Sequence, residues 1–336
     1  MLKIVVVGTG WWGMELGKAA KAVPDKVELL GCTSLSTEEC ERFRASYGGR
    51  IFPTFESVLA DRTVDAVLLA TPHSSHWKQI IAAAEAGKHV FCEKPFTLTV
   101  DTGAQAIAAC EKRGVVLGVG HNRRYIEGAR KMKALVDAGE LGTILHVEAN
   151  YSGNLEGRYP PDHWRVQQDE IPCAGLTPMG LHMVDTLTWI LGPMVRLTAL
   201  AKHRALSHPI HDTCAVLFEL ESGATGSLGS HLACAMTAIL RIYGSRAILD
   251  ARNNFTEVSI EPTDPNAPRT THRFIVDNGL PQELAALADA CAKKAPYPVR
   301  PAEALRNIAV LEAIQQSSGA NGAWRDVRRI ATAIAT

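Results

Sequence analysis

Lys94 and His182 are residue types that could handle a proton while an alcohol is oxidised. Lys94 stands in Glu93-Lys94-Pro95, directly after a short apolar segment, and His182 lies in a predicted helix over about 179–191. Hydride transfer requires a carbinol C–H held against the hydride acceptor and a group that takes the hydroxyl proton. A lysine at a strand end and a histidine suit the second task. The structural alternative for a Lys-Pro pair is a solvated turn.

A glycine-rich turn follows the first apolar segment and opens a predicted helix. In a strand–turn–helix unit, the first glycine permits the turn, the second lets backbone approach a pyrophosphate, and the third lets helix pack on strand. The position of this turn in the first β-α unit predicts dinucleotide binding rather than a purely structural turn. The two tryptophans either line the cofactor groove or pack as aromatic side chains. The turn consists of Gly8, Thr9, Gly10, Trp11, Trp12 and Gly13.

The end of the second predicted strand should distinguish NAD from NADP. Enzymes that use NAD usually carry an Asp or Glu there for the ribose hydroxyls, whereas this chain has Thr-Ser-Leu-Ser at 33–36 and no carboxylate before Glu38. Ser34 and Ser36 could bond a 2′-phosphate, although no arginine occurs until Arg42. The cofactor is therefore predicted to be NAD(P), with a slight preference for NADP.

The elements around these motifs change in type near residue 121. Before it, short apolar runs at 27–32, 66–70, 89–92 and 115–120 alternate with helix-prone stretches, which predicts a doubly wound parallel sheet. After it, predicted helices at 126–138 and 179–191 precede seven short strands between 195 and 276, and helices return at 281–293 and 301–316. The fold class is α/β, an N-terminal Rossmann domain over 1–121 and a C-terminal α/β domain over 122–336 with a large, mainly antiparallel open sheet.

Composition limits the partners of this chain. Its 336 residues are 46% hydrophobic and 21% charged, and 35 basic residues balance 35 acidic ones, so neither nucleic acid nor a membrane is an expected partner. Eight scattered cysteines and an N-terminus that begins as a strand predict free thiols in a cytoplasmic protein. His208 and His211 have a metal-like spacing, but no third ligand is near, so no metal is expected.

The ordered motifs resemble those of the Gfo/Idh/MocA family of dehydrogenases. The similarity covers nearly the whole chain, and Glu-Lys-Pro after a strand is its most specific part. The motifs are Ala70-Thr71-Pro72-His73, Ala86 to Pro95, Gly120 to Tyr125, Gly139 to Gly142, Gly180 to Asp185, and Pro298 to Leu305.

The resemblance implies an NAD(P)-dependent enzyme that acts on a hydroxyl-bearing carbon of a cyclic polyol, sugar or related compound. It implies that Lys94 and His182 are catalytic and contact the substrate, and that Pro95 follows a cis bond. It also implies a homodimer or homotetramer assembled through the C-terminal sheet. Further cofactor contacts are predicted at Ser34, Thr71, Pro72, His73, His76, Glu93, Lys94 and Asn122, and further substrate contacts at Arg123, Trp164 and Arg165.

One family residue is absent from the histidine helix. The usual aspartate four residues before the histidine is replaced by Pro178. Asp169 and Glu170 could substitute, although a solvated loop is the simpler interpretation, and Asp185 is interpreted as structural. The missing carboxylate leaves open the alternative of a non-catalytic dinucleotide-binding sensor. The stretch from Leu176 to His182 is less polar than in the usual sugar enzyme, which leaves open an aromatic cis-dihydrodiol dehydrogenase.

Overall fold

The computed structural model describes residues 1–332, and the chain divides into two compact units. Unit 1 comprises Met1–Asn122 and Gly279–Leu305, and unit 2 comprises Arg123–Asn278 and the chain from Arg306. The predicted division into 1–121 and 122–336 differs from these units, because Asn122 and residues 279–305 belong to unit 1. This segment belongs to unit 1 because its helix, Leu280–Cys291, buries apolar side chains: Leu280, Leu284 and Leu287 are fully buried.

Unit 1 is built on a six-stranded, fully parallel sheet in the order β3-β2-β1-β4-β5-β6. Its central strands are nearly continuous apolar runs that are buried on both faces, as a parallel sheet covered by helices requires. The strand order reverses between β1 and β4, which is where ligands bind in folds of this type. The elements are β1 (Leu2–Val7), α1 (Trp11–Ala22), β2 (Val27–Thr33), α2 (Thr37–Tyr47), β3 (Arg50–Ile51), α3 (Phe55–Ala60), β4 (Ala66–Leu69), α4 (His73–Glu85), β5 (His89–Glu93), α5 (Val100–Arg113) and β6 (Leu117–Gly120).

Unit 2 contains a nine-stranded mixed sheet in the order β14-β13-β12-β11-β7-β10-β9-β8-β15. Neighbouring strands pair antiparallel except β10 and β7, so the predicted mainly antiparallel sheet is confirmed. The elements are α6 (Glu127–Asp137), β7 (Ile144–Asn154), α7 (Gly180–Leu191), β8 (Met194–Lys202), β9 (Thr213–Leu220), β10 (Thr225–His231), β11 (Ala233–Gly244), β12 (Ala247–Arg252), β13 (Glu257–Pro262), β14 (Thr270–Arg273), α8 (Leu280–Cys291, in unit 1), α9 (Pro301–Gly319), β15 (Arg325–Asp326) and α10 (Val327–Thr332).

The predicted helices coincide closely with α6, α7, α8 and α9, whereas the strands were predicted less completely. β7 was not predicted, although it lies at the centre of the unit 2 sheet, and neither were the two-residue strands β3 and β15. The last predicted strand, 273–276, is displaced, because β14 ends at Arg273 and the following residues Ile275 and Val276 are exposed. Among the residues described, no helix is long and apolar enough to cross a membrane.

The loop between β8 and β9 is organised by the carboxylate of Asp212, which is 1% exposed. This carboxylate accepts hydrogen bonds of 2.6–3.1 Å from the backbone N–H groups of Arg204, Ala205 and Leu206. Burial alone would raise the pKa of Asp212, but these donors outweigh it and lower the pKa to about 2. The loop contributes Leu206 and Ile210 to a small buried apolar cluster with Ile171 and Leu232. Met179, directly before α7, packs against this cluster.

Candidate functional site

The predicted dinucleotide-binding residues follow the carboxyl ends of neighbouring strands in unit 1. The glycine turn follows β1, Ser34 follows β2, Thr71 follows β4, and Lys94 follows β5. Backbone hydrogen bonds hold three of these ends together, because the N–H of Gly8 donates to Thr33 at 2.8 Å and the N–H of Ala70 donates to Val7 at 2.8 Å. Since the strands are parallel, these residues share one edge of the sheet.

Each glycine of the turn has a distinct role. Gly8 has a φ of 87°, and a Cβ there would lie 2.7 Å from the carbonyl oxygen of Ala70. Gly13 lies so close to the preceding turn that its Cβ would meet the carbonyl oxygen of Gly8 at 2.0 Å. At Gly10 a Cβ would meet only the Glu39 carboxylate, at 3.9 Å. The first and third glycines therefore shape the turn, and the second leaves open backbone at the start of α1, where the helix N–H groups can hold a pyrophosphate.

The two tryptophans at the start of α1 differ in exposure. Trp11 is 64% exposed, whereas Trp12 is half-buried, and their rings meet edge to face with centroids 5.1 Å apart. The indole Nε1 of Trp12 is buried without a hydrogen-bond partner in the described structure. Both interpretations of these side chains, packing and cofactor contact, fit this arrangement.

Lys94 follows β5, and the peptide bond from Lys94 to Pro95 is cis, as the family resemblance implied. The Lys94 side chain is half-buried, and its backbone N–H donates to Oε2 of Glu93 at 3.4 Å. The Glu93 carboxylate is buried against β6, because a Cβ on Gly120 would meet its Oε1 at 2.9 Å. The triplet is therefore fixed at the strand end rather than lying in a solvated turn.

His76 joins the two loops that follow β4 and β5. Its fully buried ring places Nδ1 2.8 Å from the carbonyl oxygen of Pro95 and Nε2 3.0 Å from the carbonyl oxygen of Thr71. Thr71 in turn donates from Oγ1 to Gln79 at 2.5 Å. The ring of His73 is also buried, 6.0 Å from that of His76. His76 thereby positions the backbone around Lys94, and its predicted cofactor contact stays a prediction.

A carboxylate that the sequence reasoning missed lies beside Ser34. The Oγ of Ser34 donates to Oε2 of Glu39 at 3.2 Å. Glu39 is held in the first turn of α2, where its backbone N–H donates to the N-cap Ser36 at 3.2 Å. The spacing Ser36-x-x-Glu39 could have indicated this position, since it is the pattern of a helix N-terminus.

In unit 2, His182 stands in the first turn of α7 and is 8% exposed. Its ring centroid lies 6.0 Å from that of Tyr151 on β7. The guanidinium of Arg123 stacks on the Tyr151 ring at 4.4 Å and donates to the Tyr151 hydroxyl and to Asn254. Burial lowers the pKa of Arg123, while the contact with Tyr151 opposes that shift. The structure thus brings predicted Arg123 and His182 to the same ring, that of Tyr151.

Asp185 is engaged one helical turn after His182. Its carboxylate accepts hydrogen bonds from Nε and Nη2 of Arg124 at 2.9 and 2.7 Å and from Nδ2 of Asn307 at 2.9 Å. The side chains of Arg124 and Asp185 are 4% and 1% exposed, so the ion pair is buried. This geometry agrees with a structural role for Asp185 in holding α7.

The remaining predicted substrate residues lie in the segment between β7 and α7. The Arg165 guanidinium lies 4.2 Å from the Trp164 ring centroid, and both side chains are half-buried. Asp169 is exposed, which fits a solvated loop carboxylate. Pro178 precedes α7 and is partly buried. In residues 1–332 no group of three or more His, Cys, Asp or Glu side chains could hold a metal ion.

Unit 1 has the Rossmann fold, with a glycine turn at the start of its first helix. Residues 2–121 match the family model described as oxidoreductase family, NAD-binding Rossmann fold, and residues 129–250 match the model of the Gfo/Idh/MocA C-terminal domain. The chain therefore belongs to the Gfo/Idh/MocA family, and the resemblance predicted from its motifs is confirmed.

Known relatives include dehydrogenases of polyols and sugars. The chain is 31% identical over 227 residues to inositol 2-dehydrogenase 3 of Saccharopolyspora erythraea, an alignment that covers 66% of this chain and 64% of that protein. Levoglucosan dehydrogenase, solved with NADH and levoglucosan, has a TM-score of 0.88 at 20% identity and 97% and 99% coverage of the two chains. The WlbA dehydrogenase of Bordetella pertussis, solved with NADH and UDP-GlcNAcA, has a TM-score of 0.85 at 23% identity, with 97% and 98% coverage. At these identities the two structures support the fold alone.

Proposed function

We propose that this protein is an NAD(P)-dependent oxidoreductase that transfers hydride between a nicotinamide cofactor and a hydroxyl-bearing carbon of a cyclic polyol or sugar. The observation that carries the proposal is the position of Lys94 after β5, on the same sheet edge as the glycine turn after β1. The relative that is 31% identical, an inositol 2-dehydrogenase, favours this substrate class.

The residues of unit 1 fit the cofactor. The open backbone at Gly10 and the N-terminus of α1 would hold the pyrophosphate, and Glu93, fixed beside Lys94, would contact the nicotinamide ribose. The bound cofactor supplies the hydride acceptor. Unit 1 is accordingly the proposed dinucleotide-binding domain, and unit 2 is the proposed substrate-binding and oligomerisation domain.

Lys94 and His182 are the proposed proton-handling residues. In the oxidative direction the C–H bond breaks with its electron pair going to the nicotinamide, the hydroxyl O–H breaks, and the carbonyl forms. The hydroxyl proton passes to one of two proposed acceptors, either Lys94, which also binds the reacting oxygen, or His182. Arg123 and Trp164 are proposed to bind the substrate, because a guanidinium can donate to hydroxyl oxygens and an indole face packs on a sugar ring.

The test is turnover of a panel of inositols, hexoses, anhydrosugars and aromatic cis-dihydrodiols, followed by nicotinamide absorbance. With the best substrate, Lys94→Ala should lower kcat by about a hundredfold or more, since it removes a proton-handling group. Lys112→Ala, at an exposed lysine of α5, is the matched control and should leave kcat unchanged.

A change in kcat of only a few-fold for Lys94→Ala would contradict this assignment. Cofactor binding without turnover of any compound in the panel would favour the sensor alternative. Preferential turnover of dihydrodiols would favour the aromatic alternative.

The exposed face of the unit 2 sheet is the proposed homo-oligomer contact. Leu200 on β8 and Leu217 on β9 lie on that face and are 49% and 55% exposed, so a contact with a second copy would bury both side chains. Light scattering on the purified protein should give a dimer or tetramer, and Leu217→Lys should lower the measured mass. A monomeric wild-type protein would contradict this proposal.

A further inference from the structure

Glu39 places a carboxylate beside the second glycine of the turn. Its Oε2 accepts the hydrogen bond from Ser34, and its Oε1 lies 3.9 Å from where a Cβ on Gly10 would be. The side chain is half-buried, whereas that of its neighbour Glu38 is exposed. The carboxylate therefore lies near the end of β2, where the ribose-binding acid of an NAD site usually stands.

The local hydrogen bonds direct this carboxylate toward the turn. In a capping box, a glutamate at the third helical position bonds the backbone N–H of the N-cap residue. Here the N-cap Ser36 accepts the Glu39 N–H, while the Glu39 side chain bonds Ser34 instead. Since a carboxylate has about four acceptor positions and Ser34 uses one, acceptor capacity remains for two ribose hydroxyls.

The charges around Glu39 disfavour a phosphate. In the described chain Glu39 forms no ion pair, so its negative charge is not neutralised by a neighbouring cation. Arg44 pairs with Glu41 at 2.5 Å, and Arg50 pairs with Asp61. Arg42 lies on the exposed surface of α2. A 2′-phosphate carries a charge of the same sign as Glu39, and like charges at close range repel.

We infer that Glu39 binds the adenosine ribose hydroxyls and makes the protein selective for NAD over NADP. This inference rests on the proposed function, and it reverses the slight preference for NADP that the residues at 33–36 suggested. Those serines could hydrogen-bond either a phosphate or a hydroxyl. The carboxylate can only accept hydrogen bonds, so it favours the ribose hydroxyls, which donate. Ser34 is then a positioning residue, because its hydroxyl holds Glu39 toward the turn.

The experiment measures the dissociation constants of NADH and NADPH on the full chain by nicotinamide fluorescence and calorimetry. Wild-type protein should bind NADH at least about tenfold more tightly than NADPH, a difference of about 1.4 kcal/mol. Glu39→Gln should reduce this ratio by about tenfold or more, with tighter NADPH binding contributing, since removing the carboxylate removes the repulsion. Glu39→Asp keeps the charge and should continue to exclude NADPH.

The matched control is Glu38→Gln, which makes the same change of charge one residue earlier on an exposed side chain. Its NADH-to-NADPH ratio should equal that of the wild type. Two results would overturn the role of Glu39 while leaving the proposed oxidoreductase activity intact. In one, the wild-type protein binds NADPH as tightly as NADH; in the other, Glu39→Gln and Glu38→Gln have the same NADH-to-NADPH binding ratio. Absence of binding of both nucleotides would overturn the proposed function and this inference together.

Discussion

Replacing Asp185 with asparagine should destabilise unit 2 by several kilocalories per mole. The substitution removes the negative charge opposite the Arg124 guanidinium, whose side chain is only 4% exposed. Breaking a buried ion pair in this way costs about 3–5 kcal/mol, because one charge is left uncompensated away from water. An unfolding free energy of about 5–15 kcal/mol is typical of a domain, so the loss should be easily measured.

The matched control is Asp137→Asn. Asp137 pairs with Lys133 at 2.6 Å on α6, but its side chain is 57% exposed, so its removal should cost about 0.5 kcal/mol or less. The pair Arg124→Met with Asp185→Leu removes both buried charges and should recover most of the loss. About 1–3 kcal/mol should persist, since the Asn307 amide loses its acceptor.

Urea unfolding followed by tryptophan fluorescence and far-UV circular dichroism gives the free energies for this set of variants. Equal costs for the Asp185 and Asp137 variants would refute the reasoning, because burial would then not distinguish the two pairs. The single variants Arg124→Met and Asp185→Leu complete the cycle, and a double variant that loses as much as these two added together would also refute the reasoning, since the cost would then not come from an uncompensated charge.

Three further predictions concern the glycine turn, the β8–β9 loop and His76. Gly13→Ala should lower the melting temperature strongly, since its Cβ would lie 2.0 Å from a carbonyl oxygen, whereas Gly10→Ala should keep the melting temperature and weaken NADH binding, as calorimetry would measure. The pKa of Asp212 is about 2 when folded, below the unfolded value of about 3.9, so its stabilising contribution of about 2.6 kcal/mol is present above pH 4 and is lost as the pH falls through 2. The stability difference between wild type and Asp212→Asn in urea should therefore shrink over that pH range. His76→Phe keeps an aromatic ring but removes both contacts with carbonyl oxygens, so it should lower kcat at temperatures where the variant is still fully folded. A kcat that falls only at temperatures where the variant unfolds would indicate that the ring is merely structural.

The sequence predicted the motifs of unit 1 well because each is local. The glycine turn, the Lys94 strand end and the helix bounds depend on residues within a few positions of one another. β7 was not predicted although Leu145, Val147, Ala149 and Tyr151 alternate with polar residues, because the polar positions and the Gly153 that follows are poor strand formers. Its place in the sheet is instead determined by its neighbours β11 and β10.

Glu39 and Tyr151 were missed for another reason. Each acquires its importance from a residue far along the chain, Glu39 from Gly10 and Tyr151 from His182 and Arg123. A single sequence contains no measure of such distances. The buried partners of Asp185 were equally out of reach, since Asn307 lies 122 positions away.

The return of residues 279–305 to unit 1 means that residues 123–278 of unit 2 are inserted within the chain of unit 1, and that the chain from Arg306 belongs to unit 2 again. Tyr297 from this segment donates to the carbonyl oxygen of Val119 at 3.2 Å, and a Cβ on Gly118 would meet Leu287 at 3.0 Å, so β6 is covered by residues translated more than 150 positions later. During synthesis the first 122 residues therefore leave the ribosome while this surface of β6 is still exposed to solvent. Unit 1 can complete its packing only after all of residues 123–278 have been made, and an isolated fragment ending at Asn122 should expose apolar surface and aggregate.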